Sequence, residues 1–375
     1  MRFAGLDLLR AIAILWVLFF HGLVLGLGTP FPFVARSGWM AVDLFFVLSG
    51  YLIALQLFSS FDRAEPGAIR KFYLRRAFRI LPAYGVVVAL YAWLPQWRES
   101  PGMQPAWQFL TFTQNFLIDY QHNIAFSHAW SLCVEEHFYL LFPCLAWGAL
   151  RLGSARLVAA LIAAVALGGV ALRLWLWRHT LDGGAVLDTE PWRFVETVYY
   201  PTTVRCDGLL VGVTLAAIRS FRPAWWQRAA AHHAWVGALG AVVLAVAIAV
   251  AFPRTTEAAV VLGYPLLAVG FGLLLVMAAS PASVWSRVEI PGARWLATIT
   301  FSTYLTHKMT WAVLRDHFPA FVPKGTAQAF FVYGGSALLV GWLLYLAVEK
   351  PFLRLRQRFE RPAPALTGEK IAKIA

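Results

Sequence analysis

Residues 6–28 read LDLLRAIAILWVLFFHGLVLGLG. As a helix rising about 1.5 Å per residue, this run reaches across the ~30 Å hydrocarbon layer of a bilayer. It holds two ionisable groups, Arg10 and His21. Their spacing turns the helix through roughly 1100°, so both point to one side, about 16.5 Å apart along the axis. Ionisable groups at membrane depth are costly and are usually kept for function. A lone intramembrane His also serves as a hydrogen-bonded packing residue. The register with Arg10 is what favours chemistry.

The rest of the chain agrees with a membrane reading. Apolar residues make up 60% of the 375 and charged residues only 14%. That is too little charge for a soluble surface of this size. The 17 Trp supply interfacial anchors. The many membrane-length runs argue against a soluble enzyme with a large apolar core. The net charge of +13 flanks apolar segments and forms no basic stripe, so no nucleic-acid partner is expected. Cys133, Cys144 and Cys206 show neither metal-ligand spacing nor a disulfide framework. Arg10 interrupts the first apolar run, and no small-x-small site follows it, so a cleavable signal is not expected.

The pattern predicts an all-α polytopic transmembrane bundle. About ten spans are expected, over 6–27, 37–58, 72–94, 129–150, 156–177, 200–220, 234–252, 258–279, 296–314 and 327–349. The long connection 95–128 has room for a short interfacial helix, and 178–199 is a second sizeable loop. Residues 1–360 form one transmembrane domain, and 361–375 read as a polar, disordered cytoplasmic tail. An about threefold excess of Lys and Arg on the side of the N-terminus predicts both termini in the cytoplasm.

With that orientation the intramembrane polar residues sort into two layers. Arg10 lies in the inner layer with Arg75, Arg76 and Arg79 from the start of the third span. The outer layer holds His21, Asp43, Glu135, Glu136, Arg173, Arg205 and Asp207, with His307 and Lys308 in the outer half of the ninth span. Clustered arginines suit a phosphate-bearing ligand, although any one of them also reads as a snorkelling flank. In the fourth span His128, Ser131, Glu135 and Tyr139 share one face. Glu135 therefore reads as a pocket carboxylate, with a buried salt bridge as the alternative, and Glu136 as a structural partner. Asp43 starts the second span, where an acid also suits the helix dipole. The following Ser49–Gly50 admits close approach of a ligand or another backbone. Arg205 and Asp207 are near enough in sequence to pair with each other. His21, with an ordinary pKa of about 6.5, is the natural general base.

At these residues the chain resembles the integral-membrane acyltransferase-3 proteins, which O-acylate carbohydrates and related acceptors. The resemblance covers most of the chain. It rests on Arg10…His21 within LDLLRAIAI and beyond, on GWMAVDLFFVLSGYLI, on Arg76-x-x-Arg79 in RRAFRILPAY, and on HAWSLCVEEHFYLLFP. RCDGLLVG, TFSTYLTHK and VEKPF follow in the same order. His137 stands where the family usually has Gln, and Cys133 where Ser is common. Both neighbour Glu135 in sequence, which points to altered pocket polarity or acceptor choice. The chain ends soon after its last span, so the extracytoplasmic esterase-like domain of some relatives is not expected.

The resemblance implies an acyl-CoA co-substrate, most often acetyl-CoA, and no permanently bound cofactor or metal. Arg10, Arg75, Arg76 and Arg79 would hold its phosphates, with the pantetheine arm running along the first helix to His21. Asp43 or Glu135 would orient the imidazole. Arg173 or Arg205 would stabilise the oxyanion or hold the acceptor, with Asp207, Trp130, Ser131 and Tyr139 nearby. The acceptor would be a carbohydrate or lipid-linked glycan, and the setting a bacterial inner membrane in contact with lipid. A covalent acyl relay is the other mechanism open. A transporter or flippase of lipid-linked saccharides and a structural subunit of a polysaccharide-synthesis complex are the rival readings.

Overall fold

A helix overlaps each predicted span in the computed structural model, which describes residues 4–29, 31–319 and 326–360, although that of the sixth, expected over 200–220, starts only at Asp207. The helices are α1 (Ala4–Val24), α2 (Ala41–Asp62), α3 (Ala68–Trp93), α4 (Trp130–Leu152), α5 (Ala155–His179), α6 (Asp207–Phe221), α7 (His233–Ala251), α8 (Tyr264–Ala279), α9 (Ala293–His317) and α10 (Ala327–Leu344). α10 continues through a π turn, Tyr345–Glu349, into α11 (Lys350–Glu360). No strand occurs among the described residues. The predicted tail over 361–375 lies outside them.

Among the described residues six stretches are long and apolar enough to cross a membrane: Ala4–Val24, Pro32–Asp62, Ala155–His179, His233–Ala251, Ala259–Ala279 and Gln328–Phe359. α3, α4, α6 and α9 fall outside that set. α6 has only 15 residues. The others carry charge: the arginines of α3, Glu135 and Glu136 of α4, and Arg294 and Lys308 of α9. α3, α4 and α9 bring Arg76, Glu135 and His307 to the site, beside Arg10 and His21 of α1 and Asp43 of α2.

Lipid is as apolar as Leu, so helices in a membrane associate through close packing and hydrogen bonds. α2 and α6 meet backbone to backbone. A Cβ at Gly50 would run into the Leu209 carbonyl, and one at Gly212 into the backbone at Val47 and Tyr51. Gly208 and Gly212 form a small-xxx-small pair that makes this approach possible. α1 packs mainly on α9, on the short helix Pro32–Ser37 that leads into α2, and on α2 and α8.

The connection 95–128 is a folded cap. It contains the expected short helix, Ala106–Leu110, with Trp107 and Leu110 exposed. Arg98 Nε donates to the Tyr91 carbonyl at 2.6 Å, closing the end of α3. Glu99 anchors the cap from beneath. It accepts from Tyr91 Oη at 2.9 Å and from the Phe126 amide at 3.0 Å, with Lys308 Nζ 3.8 Å away.

Candidate active site

His21 ends the polar face of α1, and its ring is buried. Its Nδ1 lies 2.8 Å from Nε2 of His307 on α9. The other nitrogen of His307, Nδ1, faces the carbonyls of Tyr304 at 2.8 Å and Thr303 at 3.2 Å. A carbonyl only accepts, so His307 Nδ1 carries the proton and its Nε2 presents a lone pair. His21 Nδ1 then donates to it, which leaves the lone pair of His21 on Nε2. The imidazole that orients His21 is therefore fixed by backbone.

Asp43 and Glu135, predicted to orient that ring, have other partners. Asp43 Oδ1 accepts from Arg205 Nη2 at 2.9 Å. Glu135 accepts from Ser49 Oγ at 2.7 Å and from Tyr139 Oη at 2.9 Å. The expected ion pair between Arg205 and Asp207 is also replaced. Asp207 instead takes a two-pronged bond from Arg173, at 2.7 and 3.0 Å. Asp207 opens α6, and its neighbour in that bond comes from α5; Arg205 reaches back to α2. Each arginine thus ties two helices together and is 0–1% exposed. The Arg205 guanidinium lies between Tyr264, Tyr199 and Trp130, with ring centroids at 4.1, 4.7 and 5.2 Å. Both arginines are paired with carboxylates, while Arg173 Nε and Arg205 Nε and Nη1 have no hydrogen-bond partner.

The predicted face of α4 is present as a column. Ser131 Oγ pairs with Tyr304 Oη at 2.7 Å, and Glu135 bonds Ser49 and Tyr139 one and two turns further along. At the far end Arg76 lies over the Tyr139 ring, 5.1 Å from its centroid. Arg79 and Arg76 are both charged neighbours of Arg10. Eleven residues separate His128 from Tyr139, as they do Arg10 from His21. The two columns therefore run side by side, imidazoles at one end and guanidiniums at the other.

The guanidinium end opens into a cavity of about 290 Å³, lined by Asp7, Arg10, Arg79, Thr298, Tyr345 and Glu349 among others. Arg10 and Arg79 are both partly exposed there. Arg75 is drawn elsewhere, towards Glu65, which also takes Lys71 at 2.9 Å. Lys71 holds the Glu65 carboxyl below its ordinary range by this hydrogen bond. Two acids that sequence reasoning left out join the cavity. Asp7 lies 3.5 Å from Arg10, and Glu349 3.5 Å from Arg79. Glu349 is set by the π turn and accepts from Ser302 Oγ at 2.9 Å. π turns of this kind recur at functional sites, and the Pro351 that follows in VEKPF was the available signal.

A sequence model for a protein family described as an acyltransferase domain matches residues 3–346. The chain belongs to that acyltransferase family. Its relatives include the peptidoglycan O-acetyltransferase OatA of Listeria monocytogenes, 26% identical over 322 residues, or 81% of this chain and 48% of the relative. A Bacillus subtilis protein, YrhL, provisionally named for the same activity, is 30% identical over 228 residues, 57% of this chain and 33% of the relative. A provisionally named O-acetyltransferase of Staphylococcus aureus is 27% identical over 226 residues, 56% of this chain and 34% of the relative. The matched region spans about a third to a half of these relatives. No solved structure matches the chain.

Within this family member the two departures from the family pattern sit away from the His21 column. His137 Nδ1 meets Thr202 Oγ1 at 2.7 Å, and its ring stacks on Phe116 at 5.2 Å. Cys133, one turn earlier on the same side of α4, is buried against the backbone of Gln114 and Asn115. Both face the cap, so the expectation that they alter the pocket beside Glu135 is corrected. They join α4 to the 111–118 segment. Among the described residues no group of three or more His, Cys, Asp or Glu is arranged to hold a metal.

Proposed function

We propose that the chain moves an acetyl group from acetyl-CoA to a hydroxyl of a cell-envelope glycan, with His21 as general base. The observation that carries this reading is the His21–His307 pair, which leaves a lone pair on His21 Nε2 at one end of the helix whose other end bears Arg10. His21 Nε2 takes the proton of the acceptor hydroxyl, and the oxygen attacks the thioester carbonyl. The C–S bond breaks, and the departing thiolate receives the proton back from His21. Phosphates of the donor rest against Arg10 and Arg79 at the cavity mouth, with Arg76 reinforcing the local positive field. The relatives' names support a glycan acceptor and an acetyl group.

In the same reading the chain crosses a bacterial inner membrane ten times, with both termini in the cytoplasm. The donor cavity then faces the compartment that holds acetyl-CoA, and His21 lies near the opposite leaflet. His21→Ala should abolish transfer while coenzyme A binding, followed by calorimetry on the purified protein, persists. Normal turnover in that variant would end the proposal. For the topology, a cysteine placed at Thr255 should react with an impermeant thiol reagent in intact cells, and one at Ser154 only after permeabilisation. The reverse pattern would invert the orientation.

A further inference from the structure

His128 sits in the short turn Ser127–Ala129 that leads into α4 and is 1% exposed. Its ring centroid is 5.8 Å from that of His21 and 4.9 Å from that of His307. Neither of its ring nitrogens has a hydrogen-bond partner. The carbonyls of Leu305 and Tyr304 are the polar groups next to the ring, and that of Tyr304 already takes the His307 N–H. A neutral imidazole carries one N–H and one lone pair. Buried groups of this kind are paired in nearly every protein, so an orphan ring points to a ligand or a reacting group.

We propose that His128 is a second catalytic residue, which donates its ring N–H to the thioester carbonyl oxygen as negative charge gathers there. The inference rests on the acyl-transfer reading above. Two observations and one general rule select this role. The base is already supplied by His21 Nε2. Arg173 and Arg205 are tied to Asp207 and Asp43. A buried donor pre-aimed at the carbonyl oxygen is the arrangement that stabilises an oxyanion most. In the step itself, the acceptor proton passes to His21 while the new C–O bond forms. The carbonyl electron pair moves onto the oxygen facing His128. It returns as the C–S bond breaks, and the thiolate takes the proton from His21. His128 keeps its own proton throughout.

The test uses a deletion strain complemented with the full-length chain, reading the ester-linked acetate that mild base releases from envelope glycans. His128→Ala should lower that acetate about 100-fold. His128→Gln keeps an N–H without titrating and should stay within about tenfold of the parent. The purified variants should bind coenzyme A and melt as the parent does. Full acetate in the Ala variant overturns the proposal. So does a Gln variant as inactive as the Ala variant when both retain fold and coenzyme A binding. If His128→Ala misfolds, His128→Met fills the space without a donor and takes its place in the comparison. A parent chain that restores no ester-linked acetate sinks the acyl-transfer reading itself, which is a separate result.

Discussion

The proton on His307 Nδ1 is placed by two carbonyls of its own helix, so the acceptor on Nε2 is fixed before any substrate arrives. Losing it frees the His21 ring to turn and to change tautomer. His307→Ala should therefore reduce the turnover rate by about 100-fold or more, within the span general-base catalysis supplies, with coenzyme A affinity unchanged. Steady-state kinetics beside calorimetry checks this. The buried ion pairs make a different prediction. Asp43→Ala leaves Arg205 charged and unpaired at full burial, a loss of about 3–5 kcal/mol. The double variant Asp43→Leu with Arg205→Leu should recover much of it, read as melting temperature in detergent. Arg10 and His21 were legible in the sequence because register along one helix is local. His307 was placed at the right depth, but its bond to His21 spans 286 residues and needs the folded packing of α9 on α1. Asp207 lies two residues from Arg205, yet its partner is Arg173. The turn at Thr202–Val204 sends the two side chains to different helices, which proximity in sequence does not reveal.

At the scale of elements, the 3.6-residue period was enough to align Ser131, Glu135 and Tyr139 on α4. It also assigns Cys133 and His137 to another face, although their nearness to Glu135 along the chain suggested otherwise. The π turn before α11 had only Pro351 as a signal, because an i+5 turn shifts register without changing the apolar pattern. It turns Glu349 inward onto Ser302 and Arg79. Gly50 was readable as a site of close approach, and α6 supplies the backbone that comes near. Gly50→Leu should separate α2 from α6 and lower the melting temperature by more than any exposed substitution on α5 does. The turn between α2 and α3 has a pH signature. The depressed Glu65 carboxyl stabilises the native turn at pH above its ordinary value, and that contribution disappears as pH falls through its lowered native value. Glu65 is partly exposed, so solvent screens the effect and it is small. Hydrogen exchange at Lys71–Phe72 should rise in acid relative to α8, and Glu65→Gln should remove the difference.

Across the whole molecule, the two ends of the site are joined by a shared face of α1 whose middle is filled. Ala13, Ile14 and Val17 lie between Arg10 and His21, and each is 0–1% exposed. A pantetheine arm lying along α1 therefore needs the helix to part from its neighbours, α9 and α2 foremost. Charge at the cavity mouth and chemistry at the imidazoles then become separable. A ligand that carries only the phosphates of the donor, such as adenosine 3′,5′-bisphosphate, should bind at Arg10 and Arg79 without any such parting. Ala13→Phe should leave that binding within about threefold while blocking transfer from acetyl-CoA, because the added ring occupies the path and not the cradle. A variant that folds, binds the bisphosphate and still transfers at the parent rate would show that the donor reaches His21 by a route other than the α1 face.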